Sequence, residues 1–215
     1  MTQTIAEELL VKSRLRVKAH GEVFTARRMV DQMLDLVRDD LEIGPDFVDK
    51  TFLEPAAGDG NFLIAILERK LLAIEKQYRP ELWPDESLFA LASIYGIELL
   101  EDNHQDAKAA MLEEFLRFHA SHGVSCDLRT NLARAATFLI DTNIVRGNTR
   151  TGLDWRGQDI EFSWWNRVLD APGCVQREPF TLASLRGGNH LDFTVYNTYS
   201  VCRIDQVHRE VRAGG

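Results

Sequence analysis

The 215-residue sequence predicts an α/β domain with a mostly parallel sheet and helices on both faces. Three observations carry this. Short apolar segments at Thr51–Glu54 and Ile94–Ile97 are each followed by a long stretch with helical spacing. The first segment runs into a loop rich in Pro and Gly that opens the next helix. Strand and helix then keep alternating as far as Gly147-Asn148, an order that implies parallel strands joined by right-handed crossovers.

Taken in chain order, Ile5 to Val17 spaces its apolar residues as a helix does. A second helix is expected from Thr25 to Asp40, with Met29, Val30, Met33, Leu34 and Val37 on one face and Thr25 as its N-cap. Ile43-Gly44-Pro45-Asp46 ends it, and Thr51–Glu54 reads as a buried strand. Helical period resumes over Asn61–Tyr78, again over Leu88–Ser93, and over Asp102–His119 after the strand at Ile94–Ile97. A third strand is expected either at Thr137–Asp141 or at Asn143–Val145. From Thr151 onward the periodicity weakens into loop-like sequence, until the alternation of Leu191–Ile204 predicts a terminal hairpin turning near Asn197-Thr198.

Composition narrows the class. A hydrophobic fraction of 45% and a charged fraction of 27% are those of a globular chain, and no apolar run approaches the roughly 18 residues of a membrane span. The amino end has acids early and apolar residues at helical spacing, which reads as a cytoplasmic helix and not as a secretion signal. Cys126, Cys174 and Cys202 are distant from one another and without CxxC spacing, so neither a disulfide framework nor a zinc site is expected. The net charge of −8 argues against a free-standing nucleic-acid binder. Two groups of arginines, Arg14, Arg16, Arg27 and Arg28 early and Arg146, Arg150 and Arg156 late, read either as solvated surfaces or as local approaches for a polyanion.

The chemistry concentrates in Glu54-Pro55-Ala56-Ala57-Gly58-Asp59-Gly60-Asn61-Phe62. Closely spaced glycines between a strand and a helix let backbone N–H groups approach a ligand with no Cβ in the way. The loop lacks the lysine of a P-loop and is not GxGxxG, so phosphate cradling is not expected. Its acids suit a cationic ligand: Glu54 or Asp59 could accept from an ammonium group, and Glu98, at the end of the next strand, could hold two ribose hydroxyls.

These segments resemble the amino-methylating DNA methyltransferases, especially the N6-adenine enzymes of restriction-modification systems, over about the first two-thirds of the chain. Gly21-Glu22-Val23-Phe24-Thr25 is similar to the family's G-x-[FY]-[FY]-T-P segment, with Ala26 in place of proline. Leu53 to Leu63 resembles its cofactor loop, D/E-P-[AS]-x-G-x-G-x-[FL]. Tyr95-Gly96-Ile97-Glu98 resembles the Y-G-x-[ED] segment whose acid takes the ribose, and Ile144–Asn148 the strand and G-[DN] turn beside the adenine. The resemblance implies a Rossmann-like S-adenosylmethionine-dependent methyltransferase fold. Residues 1–24 would be an N-terminal helix and cofactor-covering segment, 25–150 the cofactor-binding core, and 151–215 a C-terminal part of the same domain. It implies S-adenosyl-L-methionine as cofactor, held by Phe24, Thr25, Glu54, Pro55, Ala56, Gly58, Gly60, Asn61, Phe62, Glu98, Leu99 and Asn148.

The family's D/N-P-P-[YFW] tetrapeptide, which takes the target amine and stacks a flipped base, has no counterpart here. The nearest string is Asp170-Ala171-Pro172-Gly173, in which Asp170 reads either as an amine-binding residue or as an ordinary turn aspartate. Asn148 could serve an exocyclic amine through its carbonyl oxygen. Trp164-Trp165 could offer a stacking surface or belong to the core. Three readings follow: a methyltransferase acting on adenine N6 in DNA; a catalytically inactive cofactor-binding homologue acting as a regulatory, accessory or antirestriction protein through a partner; and a transferase with another acceptor on the same scaffold. The first two bring DNA as a partner, directly or through another subunit, in a homodimer or hetero-oligomer of a bacterial or phage-infected cytoplasm, with no membrane.

Overall fold

The computed structural model describes residues 12–20, 22–186 and 199–211. Its centre is a four-stranded sheet in the order β1 (Phe52–Glu54), β2 (Ile94–Glu98), β3 (Ile144–Asn148), β4 (Leu153–Asp154). The first three strands are parallel, with Phe52 opposite Ile94 and Gly96 opposite Ile144, and β4 turns back antiparallel on the end of β3. The expected α/β class with a mostly parallel sheet is therefore present.

Helices α1 (Arg14–His20) and α2 (Arg27–Asp35) precede the sheet; α3 (Asn61–Gln77), α4 (Trp83–Ala92), α5 (Glu101–Ser121) and α6 (Asn131–Asn143) connect its strands. Ile94 and Ile144 point into one apolar cluster with Leu63, Leu67 and Leu71 of α3, Leu88 of α4, Met111 and Phe115 of α5 and Leu139 of α6. Four helices thus cover one face. Inside this cluster Lys70 is fully buried, and its Nζ donates to the carbonyls of Val48 and Lys50 (3.0 and 2.7 Å) and to Ser93 Oγ (2.6 Å). That ammonium fastens α3 to the turn before β1 and to the residue before β2, and desolvation pushes its pKa down to about 7.

The other face differs from the expectation. Tyr95 and Ile97 are covered by a three-stranded antiparallel sheet in the order β5 (Glu161–Arg167), β6 (Cys174–Thr181), β7 (Cys202–Arg203), together with Leu182 of the short α7 (Leu182–Arg186). Phe162, Trp164 and Phe180 meet the Tyr95 ring at centroid distances of 5.5, 5.8 and 6.0 Å, and Tyr95 Oη donates to the Ser163 carbonyl. Alternate residues of β5 pack in different directions. Trp164 stacks on Phe180, while Trp165 is buried and its indole N–H donates to Asn143 Oδ1. The tryptophan pair is core packing, as the second of its two sequence readings has it.

Several sequence expectations are corrected. Thr25 does not cap α2: the N-cap is Ala26 without a side-chain bond, and the helix stops at Asp35. A π-helical turn over Asp39–Ile43 follows and buries Leu41. Thr137–Asp141 is helical, because Thr130 Oγ1 accepts the Ala133 N–H and Ala133, Ala136, Leu139 and Ile140 recur at 3–4-residue spacing; the strand follows at Ile144. The stretch after Thr151 carries strands that loop-like sequence concealed. Most of Ile5–Val17 and of the hairpin at Leu191–Ile204 lies outside the described residues; within them, Cys202–Arg203 pairs with Cys174–Val175. No helix among the described residues is long and apolar enough to cross a membrane.

One buried titratable group ties stability to pH. His119 is enclosed in α5, with its Nε2 2.9 Å from Ser87 Oγ, and burial pushes its pKa from 6.5 down to about 4. The unfolded chain therefore binds more protons between those values, so stability is full above pH 6.5 and falls as pH drops toward 4. Urea midpoints at pH 7 and pH 5 are expected to differ accordingly, and His119→Gln is expected to shrink the difference; an equal difference in the variant would remove His119 as the cause.

Candidate functional site

At the carboxyl ends of β1, β2 and β3 lies a pocket of about 320 Å³, within the size range of small-molecule sites. One wall is the loop after β1. Gly58 and Gly60 adopt left-handed backbone (φ +56° and +99°), and α3 begins at Asn61 directly after the second. The Ala57 N–H donates to the Ile97 carbonyl (2.9 Å), which holds the loop against the end of β2.

Glu98 completes the join. Its two carboxylate oxygens accept the Gly58 N–H and the Leu100 N–H, both at 2.8 Å, so one side chain connects the loop after β1 with the loop after β2. It is 7% exposed and lines the pocket. A carboxylate offers about four acceptor positions, so two backbone bonds leave capacity for donors of a ligand.

The glycines serve different purposes. A Cβ at Gly58 would stand 3.3 Å from the ring of Phe24, which closes the pocket from the amino-terminal side. A Cβ at Gly60 would stand 2.9 Å from the Ala107 Cα, so this glycine lets α5 approach the loop. Thr25 contributes its carbonyl to Asn61 Nδ2 (3.4 Å) and Phe62 packs against the helical core, so both support the loop from behind.

Of the residues assigned to the cofactor, Phe24, Pro55, Ala56, Gly58, Glu98, Leu99 and Asn148 line the pocket together. Thr25, Glu54, Gly60, Asn61 and Phe62 are not among its lining residues. Glu54 turns its Oε1 back to the Ala56 N–H (3.0 Å), and burial raises its pKa and that of Asp59. The acids facing the pocket are Glu98 and one the sequence left unassigned, Glu22.

Glu22 belongs to a network that closes the pocket's edge. Arg16 of α1 binds it through two nitrogens at 2.6 Å each, and Asn103 Nδ2 donates to it at 2.6 Å. Arg16 also reaches Asp102 at 2.5 Å, and its guanidinium holds both carboxyls below the usual range. Asn103 is buried in the pocket wall, and its Oδ1 has no hydrogen-bond partner among the described residues. An orphaned acceptor in a pocket wall is a place for a ligand donor. The signal available in sequence was an amide among acids in the first turn after Glu98.

The two candidates for the reacting group separate. Asn148 lines the pocket, but its Oδ1 accepts the Arg150 N–H (2.9 Å) in a local turn. Thr149 Oγ1 donates to the Pro55 carbonyl (2.5 Å) and closes the gap between the β3 and β1 loops. Asp170 is placed elsewhere. Strand β5 starts beside Gly147 at the pocket end and finishes at Arg167, which binds Asp49, ahead of β1, and Glu86. The turn that carries Asp170 is therefore at the opposite end of the sheet, and Asp170 is an exposed turn residue. Among the described residues no group of three or more His, Cys, Asp and Glu is arranged to hold a metal. Comparison of the chain with protein-family models, curated proteins and solved structures gives no match.

The different surroundings of the two glycines set an order of effects. Gly60→Ala meets backbone and a left-handed φ at once and is expected to cost at least about 1–3 kcal/mol. Gly58→Ala meets a ring that can shift and a φ of +56° inside the αL region that side chains occupy at modest cost, and is expected to cost about 1 kcal/mol. Urea unfolding of both variants checks the ranking, and the reverse order would contradict the α5 contact.

Proposed function

We propose that this chain binds S-adenosylmethionine in the pocket at the ends of β1, β2 and β3 and methylates adenine N6 in DNA, on a Rossmann-like methyltransferase core. The observation that carries the reading is the left-handed glycine loop locked by Glu98, a carboxylate at the end of the neighbouring strand that faces the pocket. The residues fit the cofactor. Gly58 keeps a Cβ out of the space beside Phe24, Glu98 retains acceptor capacity for ribose hydroxyls, and Asn103 Oδ1 is an acceptor without a donor. Leu99, Pro55 and Ala56 supply apolar lining for the nucleoside.

When bound, the cofactor supplies a methyl group activated by its sulfonium. The protein's part is positioning and exclusion of water. Phe24 and the Arg16–Glu22–Asn103 network close the amino-terminal side, and Thr149 bonded to Pro55 closes the gap between two loops. Asn148 is a polar residue at the pocket, and its Oδ1 already accepts the Arg150 and Thr151 N–H groups, so accepting from an exocyclic amine requires it to give up one of these turn bonds.

A second reading is favoured by two observations. Asp170 lies at the far end of the sheet, and the Asn148 oxygen is already engaged, an arrangement expected of a cofactor-binding homologue that acts through a partner without turnover. Calorimetric titration with S-adenosylmethionine and S-adenosylhomocysteine, followed by transfer of labelled methyl to mixed-sequence duplex DNA, separates the two. Binding with transfer is expected; binding without transfer selects the second reading, and absence of binding ends both. Glu98→Ala is expected to weaken cofactor binding by about 1.5–3 kcal/mol, whereas Asp170→Ala is expected to leave binding and transfer unchanged. Loss of transfer in Asp170→Ala would overturn its exclusion from the site.

A further inference from the structure

We propose that the surface around Trp155, beside the mouth of this pocket, holds a single strand of DNA, with the indole stacked on an unpaired base and neighbouring guanidiniums on the phosphates. The inference rests on the reading of the pocket as a DNA-modifying site and adds the surface that would present the strand to it.

Trp155 follows β4 and is 64% exposed, although a ring of this size is ordinarily turned inward or covered. It is not a loose side chain at a loop tip. Its backbone N–H donates to the Arg146 carbonyl of β3 (3.3 Å), which fixes the chain that carries the ring, and the guanidinium carbons of Arg146 and Arg156 lie 5.9 and 5.4 Å from the ring centroid. Arg150, exposed, lines the pocket itself, and Arg186 donates to the Thr149 carbonyl next to it. Glu101 lies 3.1 Å from one nitrogen of Arg146 and Asp154 3.0 Å from one nitrogen of Arg156, while Asp159 bridges to Leu153 and Glu22 and Glu98 line the pocket with Arg150. A guanidinium has five N–H donors, so these ion pairs orient the cations without using them up.

An exposed indole with cations close by is the combination that binds single-stranded nucleic acid: the ring takes a base of any identity and the cations take the backbone. In a chain of net charge −8, a local arginine cluster also directs a polyanion to one face. A base next to one stacked on Trp155 would lie within reach of Arg150 and hence of the pocket mouth. This also gives the late arginine group of the sequence a physical role.

Fluorescence anisotropy with a labelled mixed-sequence oligonucleotide, single-stranded and as duplex, tests it. The strand is expected to bind more tightly than the duplex. Trp155→Ala is expected to weaken strand binding about five-fold or more, and Trp155→Phe to restore most of it. The Arg150→Ala/Arg156→Ala double variant is expected to reduce the dependence of log affinity on log salt by about 1–2. Strand binding by Trp155→Ala equal to that of the parent, or no binding at low salt, overturns the assignment. Calorimetry with S-adenosylmethionine on Trp155→Ala keeps the two claims apart: retained cofactor affinity with unchanged strand binding rejects the surface and leaves the pocket reading standing, whereas Trp155-dependent strand binding without cofactor affinity supports the surface and rejects the pocket reading.

Discussion

The pocket depends on one carboxylate. Glu98 accepts backbone N–H groups from the loops after both β1 and β2, and with the Ala57 N–H to Ile97 carbonyl bond it joins two strand ends that the ladder alone leaves side by side. Parallel neighbours share no turn, so nothing in the ladder itself dictates how the loops beyond it meet. A short acidic side chain at the end of the central strand supplies the missing connection. It also holds the left-handed part of the glycine loop, since the Gly58 N–H donates to it while Phe24 packs against Gly58 and Ala107 against Gly60.

The C-terminal third has a different physical task from the one sequence order implied. From Thr151 onward the sequence reads as loops before a terminal hairpin. Instead β5 and β6 lie across the Tyr95 face and carry their connecting turn to the opposite end of the sheet. The aromatic cluster of Tyr95, Phe162, Trp164 and Phe180 makes this packing specific, since large rings in edge and stacked contacts leave few other registers. An aspartate in that turn is remote from the pocket for reasons set by sheet direction and not by its own chemistry.

What was legible in the sequence follows from how local its signal is. The strand at Phe52–Glu54, the glycine loop, α3 and β2 through Glu98 were readable because turn chemistry and period change within a few residues. The third strand was left open between Thr137–Asp141 and Asn143–Val145 because Thr137, Phe138 and Ile140 imitate a strand, while the Thr130 cap, seven residues before Thr137, makes the first stretch helical and leaves the strand to start at Ile144. Strands β5 and β6 were hidden because both faces of β5 are buried in places and alternation vanishes. At the site, Pro55, Ala56 and Gly58 of the assigned loop line the pocket while Glu54, Gly60, Asn61 and Phe62 do not, and Glu22 and Asn103 come together only through tertiary packing of α1 and α5. The direction of the Glu54 carboxylate, turned back on Ala56, was likewise beyond any motif.

The parallel register has a consequence for how the molecule reaches its folded form. Phe52 meets Ile94, and Gly96 meets Ile144, across intervening segments of about 40–50 residues, so each ladder closes a long chain loop before its bonds reward it. The β5–β6 hairpin and the helical turns need no such closure. The pocket is thus assembled from contacts distant in sequence, and the capacity to bind a ligand there reports on completion of the parallel ladder, not on any one segment of it.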